Sequence, residues 1–376
     1  MKLSQYILKY HLAFIFIAII ALPVFNDLTG VWKFERKDEN RAFRDSVSIN
    51  INYLDIFPAE FEEYLNDNFS FRRPLLDFYH YCKFYYFKVS PHPNKTIIGL
   101  NGWFFNAEEE IALYEGKDDF SDQELKKFLK EWEYRKHYLD STGIRFYWMI
   151  APTKHNVYSE NLPFNIYKSD KKKRVDQLKE VFQEEFPNLI IDPTPELIAA
   201  KKTEKVYYQL DNHWNQRAGY LMSDLILSII KSDFPEANIG DIPTYEWRDS
   251  IIQKGIHYKV IGIEELSEIE KYPIIDKEFA VKAKKYGFKA PKYFPYKWNY
   301  ERRFINHNMD SGLRILVIRD SFGDKLIPFL KEPFKESVFI FDAWHYHLNK
   351  PIIEKVKPDV VVFISLETHI ENIIAN

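Results

Sequence analysis

Cysteine is nearly missing from this sequence: Cys82 is the single one in 376 residues, which excludes a disulfide scaffold. Glycine is scarce as well, with 12 residues, and no internal repeat or low-complexity tract is present. With 46% hydrophobic and 28% charged residues, disordered and collagen-like chains are excluded. An excess of one charge is also lacking. The 52 Lys+Arg against 55 Asp+Glu leave 52 − 55 = −3, which argues against a dedicated nucleic-acid binder, whose footprint is a strong positive excess. What the sequence has in quantity is rings, at 17%, and these suit either an aromatic core or a surface that stacks on sugars. The length is enough to bury a full core in one large or two modest domains.

Lys2 and Lys9 precede an uninterrupted apolar run, Leu12 to Phe25. As a helix, this run is roughly 21 Å long at about 1.5 Å per residue, short of a bilayer core of about 30 Å. Counting from Tyr6 gives 20 positions, and with Lys9 snorkelling to the interface the segment just spans. A cleaved signal peptide has the same basic start and short apolar core. No small-x-small site follows, however, and Pro23 leads into bulky Val24 and Phe25. An uncleaved single-pass anchor in the inner membrane is therefore expected, rather than a signal peptide or a buried core helix, with the remainder in the periplasm or an equivalent extracytoplasmic space.

From Phe57 to Val89 the sequence is amphipathic and ring-rich, which suggests helices. Ser121 and Glu124 form a capping box for a helix whose Leu125, Phe128, Leu129 and Trp132 recur at offsets of three and four, with Gly143 beyond its end. A strand is predicted over Ile144 to Ala151, a helix over Lys171 to Phe186, a short strand over Leu189 to Asp192 and a helix over Asn215 to Lys231. Further runs at Arg314 to Ile318, Ser337 to Phe341 and Asp359 to Ser365 alternate with helical stretches at Phe322 to Leu330 and Asn349 to Val356. Alternating strands and helices with continuous apolar strands predict an α/β fold: a parallel sheet covered on both faces. The rhythm breaks between Asp233 and Asn308. Within that region, Lys282 to Arg303 contains eight basic residues, seven aromatics and one acid, Glu301. It reads either as a solvated insertion with its own ring cluster or as a groove for an anionic or sugar polymer, with Tyr293, Tyr296 and Trp298 as stacking platforms. The expected organisation is a membrane anchor at 1–32, a helical juxtamembrane extension at 33–95 and a catalytic domain at 96–376 with an insertion at about 233–308.

Two short stretches have the residue types for chemistry. Asp211-Asn212-His213-Trp214 follows the strand-like Lys205 to Leu210, and an acid and an imidazole two apart can project to one side, the acid orienting the ring. Alternatively, Asp211 caps a helix and His213 simply packs. Arg319-Asp320-Ser321-Phe322-Gly323 falls at the carboxyl end of an apolar strand, where an open parallel sheet presents its ligand site. A serine there is offered the amides of a helix amino terminus, and Gly323 would allow close approach of substrate; the alternative is a capping serine or aspartate. His345 and His347 have metal-ligand spacing, but no carboxylate or thiol cluster accompanies them, so no metal is expected.

From about Phe57 onward the chain resembles the SGNH-hydrolase-like proteins of the alginate O-acetyltransferase group, AlgX and AlgJ type, and relatives named for an Asp-His-His-Trp motif. The markers are Phe61 to Phe69 ahead of Arg72, Asn101-Gly102-Trp103-Phe104-Phe105, and Ala151-Pro152-Thr153-Lys154 running to Tyr158 and Pro163. They continue with Asp211 to Trp214, Arg319 to Gly323 and Lys357-Pro358-Asp359-Val360-Val361. The resemblance implies a flavodoxin-like SGNH-hydrolase fold, with Ser321 as nucleophile, His213 as base and Asp211 as orienting acid. It departs from the family pattern at Asn212, which replaces the first His, at Arg319-Asp320, and in lacking a Gly-x-Asn-Asp block. Lys154 and Arg319 are candidate pocket cations, although a surface position for Lys154 is the simpler expectation. Trp214 is a candidate pocket wall, with packing the simpler role. The implied activity is O-acetyl transfer to an extracytoplasmic polysaccharide without metal, nucleotide or other cofactor. A membrane-bound O-acyltransferase is the implied donor; a carbohydrate esterase or a glycan-binding export component are the alternatives.

Overall fold

A computed structural model describes residues 3–34, 43–107, 109–275, 281–284, 287–292, 294–342 and 345–374. The chain forms two compact units, Met1–Pro91 with Ile261–Ile263, and His92–Val260 with Glu264–Asn376.

In the first unit, helix α1 spans Leu3–Thr29; it has non-helical angles at Tyr10 and contains Pro23. Its stretch Lys9–Thr29 is 21 residues long and apolar enough to cross a membrane. Because its apolar side chains face outward, with Leu12 72% and Phe16 64% exposed, the core-helix reading fails. The helix closes on Gly30, whose φ of +64° suits a residue without Cβ and whose amide bonds Asn26 O at 2.7 Å. Helices α2 (Phe57–Asn68) and α3 (Arg72–Tyr81) come next, the second running into a π-turn at Cys82–Tyr86. The Arg44 guanidinium bonds Glu60 and Glu63, and its amide bonds Asp67 Oδ2 at 2.9 Å, pinning the preceding segment to α2.

The second unit is built on a sheet of strands β1 (Arg145–Ala151), β2 (Ile190–Ile191), β3 (Val281–Ala283), β4 (Glu301–Asn306), β5 (Arg314–Arg319), β6 (Glu336–Phe341) and β7 (Val360–Leu366). The spatial order is β2-β1-β7-β5-β6-β4-β3. β2, β1, β7, β5 and β6 are parallel, whereas β4, from the irregular region, pairs antiparallel with β6, and β3 pairs antiparallel with β4. The expected parallel sheet flanked by helices is present, and the irregular region extends it by two strands at one side. Counted from β5, the parallel strands lie in the order 2-1-3-4-5, that of a flavodoxin-like sheet, but the chain enters this cycle at its fourth strand.

Successive strand residues alternate between two cores, because the pleat has a period of two. Tyr147, Met149, Ile315, Val317 and Val362 pack on one face against helix α6 (Gln216–Asp233), through Met222, Ile226 and Ile230. Trp148, Ile150, Leu316, Ile318 and Phe363 pack on the other, against helix α4 (Asp122–Ser141) and helix α5 (Arg174–Phe182). Trp132 of α4 stacks on Trp148 with centroids 4.8 Å apart, and burial of a large apolar side chain of this kind contributes about 1.5–3 kcal/mol. The capping box of α4 is present, with Ser121 N bonding Glu124 Oε2 at 2.8 Å.

Candidate active site

The carboxyl end of β5 runs into Asp320 and Ser321, between β7 and β6 and therefore at the switch point of the strand order. Asp320 is buried and fixes the turn. Its Oδ1 accepts from Phe322 N at 2.8 Å, and its Oδ2 accepts from Leu366 N at 2.7 Å and Tyr346 Oη at 2.9 Å. Beyond Ser321 the chain forms a 3-10 turn, Phe322–Lys325, and a four-residue helix, Ile327–Leu330, not the long helix the sequence suggested. Pro328, with no amide proton, interrupts the hydrogen-bond ladder there. Of the amides expected at that terminus, that of Phe322 is taken by Asp320. Gly323 also has another purpose than substrate access: a Cβ on it would lie 2.5 Å from Arg319 Cδ.

Asp211 and His213 occupy a loop folded back on itself. Tyr207 and Trp214 pair in an isolated antiparallel bridge, and Tyr208 N bonds His213 O at 3.2 Å. The expected strand over Lys205 to Leu210 is reduced to that bridge. Inward-facing backbone groups of such a loop need partners, and distant residues supply them. Glu268 accepts from Gln209 N at 2.7 Å and Leu210 N at 3.0 Å. Lys154 Nζ donates to Phe104 O at 2.6 Å, Tyr208 O at 2.9 Å and Gln209 O at 3.3 Å. Asp211 Oδ2 accepts from Ile256 N at 3.0 Å.

The loop and the turn meet. His213 Nε2 lies 2.7 Å from Ser321 Oγ, and His213 Nδ1 lies 2.5 Å from Asp211 Oδ1. The His213 and Asp211 side chains are 24% and 22% exposed, which leaves the constellation open to a substrate. Burial pushes the Asp211 carboxyl up, but the hydrogen bond and charge of His213, with the amides of His213 and Ile256, outweigh it and hold the group well below the usual carboxylate range. An ionised Asp211 favours a proton on Nδ1 and leaves Nε2 as the acceptor facing the serine.

The other candidate residues divide. Lys154 is 1% exposed, so the surface expectation is wrong, and its ammonium is engaged by the three backbone carbonyls; burial lowers its pKa to about 7 against the pull of Asp211, Glu268 and Glu110. Arg319 is likewise fully buried: its Nη2 bonds Asp324 Oδ1 at 2.9 Å and Asn299 Oδ1 at 3.2 Å. Trp214 is buried and packs, its Nε1 donating to Phe322 O at 2.8 Å. Tyr293 lies outside the described residues. Tyr296 stacks on Phe341 and is about half exposed, and Trp298 is 66% exposed. Asn299, next in the chain, also donates to Asp324 at 3.1 Å, so these two rings are carried by a segment tied to the turn that follows Ser321. His345 and His347 stack at 5.0 Å, with Asp342 3.5 Å from His347 Nδ1.

Sequence reasoning missed Glu268 and its neighbour Glu270. Glu270 Oε2 accepts from Asn215 Nδ2 at 2.9 Å, and Lys205 reaches both acids. The available signal was Glu268-Ile269-Glu270, two acids on one face of a short alternating strand.

Residues 96–260 match the family model described as the SGNH hydrolase-like domain of acetyltransferase AlgX. This span contains Asp211 and His213. No curated protein matches the chain. Among solved structures, Bacillus cereus PatB1 with a sulfonyl adduct is 17% identical at a TM-score of 0.49, with 72% of this chain and 96% of that one covered. The O-acetyltransferase domain of Pseudomonas putida AlgJ is 13% identical at 0.48, covering 74% and 92%. A DHHW family protein from Eubacterium siraeum is 15% identical at 0.48, covering 73% and 94%. Over residues 96–260, then, the chain is similar to the SGNH hydrolase-like domain of acetyltransferase AlgX.

Proposed function

We propose that this protein O-acetylates hydroxyl groups of an extracytoplasmic polysaccharide through Ser321, His213 and Asp211, and that α1 is an uncleaved inner-membrane anchor. The observation that carries this reading is the continuous relay from Asp211 through His213 to Ser321 at the sheet's carboxyl edge, with Asp211 and His213 inside the span similar to an acetyltransferase domain. His213 Nε2 takes the serine proton as Oγ attacks the donor's acetyl carbonyl, and returns it to the leaving oxygen as the tetrahedral intermediate collapses to acetyl-serine. A sugar hydroxyl then enters and loses its proton to Nε2. Attack on the acetyl-serine gives the sugar ester, and the proton returns to Ser321. Asp211 holds the ring in one tautomer and balances its charge in both half-reactions. Tyr296 and Trp298 offer faces on which an acceptor sugar stacks. Activated acyl donors are cytoplasmic, so a membrane-bound O-acyltransferase that passes the acetyl group across the bilayer is the partner this scheme needs.

The test is turnover of an acetyl-ester chromogen by the purified protein, with and without oligosaccharide. Acetylated oligosaccharide, lost in Ser321→Ala, supports transfer. Release to water unaltered by sugar identifies an esterase. Unchanged polymer acetylation in cells carrying Ser321→Ala, with loss on changing Tyr296 and Trp298, identifies a binding protein.

A further inference from the structure

Helix α3 is amphipathic in the inverse sense. From Leu75, the residues Phe78, Tyr79, Cys82 and Tyr86 recur at offsets of three, four, seven and eleven, which places them on one helical face. In a helix packed on a core, that face is covered. Here no residue of α3 or of its π-turn is buried, and Phe78, Tyr86 and the next residue, Phe87, are 67%, 75% and 69% exposed.

Neighbouring contacts within the same unit fix where this face sits. Ser70 N bonds Asp27 Oδ1 at 3.0 Å, and Ser70 Oγ bonds Pro23 O at 3.4 Å, so the residues that lead into α3 are held at the final turns of α1. Phe71 meets the rings of Trp32 and Phe34 edge-on at 5.9 and 5.3 Å. Helix α3 starts at the next residue. If α1 spans the bilayer, these contacts hold α3 at the membrane–water boundary, where tryptophan and other amphipathic rings concentrate. Its charge suits an anionic surface: positions 72–88 contain Arg72, Arg73, Lys83 and Lys88 against Asp77, or +4 − 1 = +3.

We propose that α3 and its π-turn lie flat on the bilayer that α1 spans, with Leu75, Phe78 and Tyr86 in the acyl–headgroup boundary and Lys83 and Lys88 among anionic headgroups. A basic, ring-rich amphipathic helix has the composition for that position. The inference rests on the anchor reading of α1, and its test separates the two.

Cys82, the only thiol in the chain and a partly exposed member of that face, takes a nitroxide label without further substitution. The full chain is reconstituted in vesicles of phosphatidylcholine with phosphatidylglycerol, and accessibility to oxygen is compared with accessibility to a water-soluble nickel chelate. The expected result is oxygen access in excess of nickel access, a loss of that excess in Phe78→Glu with Tyr86→Glu, and a smaller excess in phosphatidylcholine alone. A second label at Ile17→Cys, in a Cys82→Ser chain, reports on α1. Water-like access at position 82 with a bilayer-like signal at 17 overturns the platform alone, and a water-like signal at 17 overturns anchor and platform together. Dipolar broadening between Cys82 labels assigns the face to a second copy of the chain and also overturns the proposal.

Discussion

Asp211 is the residue on which the scheme is most sharply testable, because its contribution is orientation and charge, not bond making. Asp211→Asn keeps the shape but favours a proton on the wrong nitrogen of His213, and turnover of an acetyl ester should fall about 10⁴-fold with the melting temperature little changed. Ser321→Ala and the double variant Ser321→Ala with His213→Ala should lose similar amounts, since the members of such a relay act as a unit. Glu270 provides a different kind of test. Burial and the hydrogen bond with Glu268 raise its pKa from 4.5 to about 8. Between those values the folded state keeps a proton that the unfolded chain gives up, so this residue's stabilisation is complete below about pH 4.5 and declines as pH rises through 8. Melting curves from pH 4.5 to 8 should show that decline, and Glu270→Gln should remove it.

Strands, loops and helices set where those side chains point. The loop that carries Asp211 and His213 has little regular structure, and its backbone is held by Glu268 and Lys154, 58 and 54 residues from the groups they bind. In Glu268→Ala the amides of Gln209 and Leu210 lose their acceptor, which costs about 1–3 kcal/mol for each unpaired buried group. Lower kcat with KM nearly constant is the expected outcome in that variant, measured on an acetyl ester, because the loop loosens behind the site. Ser121→Ala removes a helix cap far from the site and should lower stability by about 1 kcal/mol without touching kcat. Equal kinetic effects in both would mean that Glu268 acts only through general stability. The helices and strands themselves were largely legible: the capping box, the periodic rings of α4 and the apolar strand runs each declare a local period. The turn after Ser321 was not, because its apolar pattern is helical while Pro328 and the demands of Asp320 and Arg319 divide it into a 3-10 turn and a single helical turn.

For the molecule as a whole, the anchor reading predicts that the full-length protein stays in the membrane pellet through an alkaline carbonate wash, and that Ile15→Arg with Ile19→Arg releases it; release of the unaltered chain would contradict an uncleaved span. Strand order is the feature no local pattern specifies. The parallel strands form a flavodoxin-like cycle entered at its fourth member, so Asp211 and His213 precede Ser321 in the chain although all three meet at one edge. From sequence alone came the elements, the apolar amino-terminal helix and the three candidate side chains that meet at the sheet edge, since periodicity, run length and residue chemistry are properties of short segments. The tertiary structure decided that Lys154 and Arg319 are internal struts, that the irregular region completes the sheet, and that Glu268 braces the loop behind His213. The roles of Lys154, Glu268 and the added strands depend on which distant backbone groups would otherwise be buried without a partner, and that accounting exists only once the chain is folded.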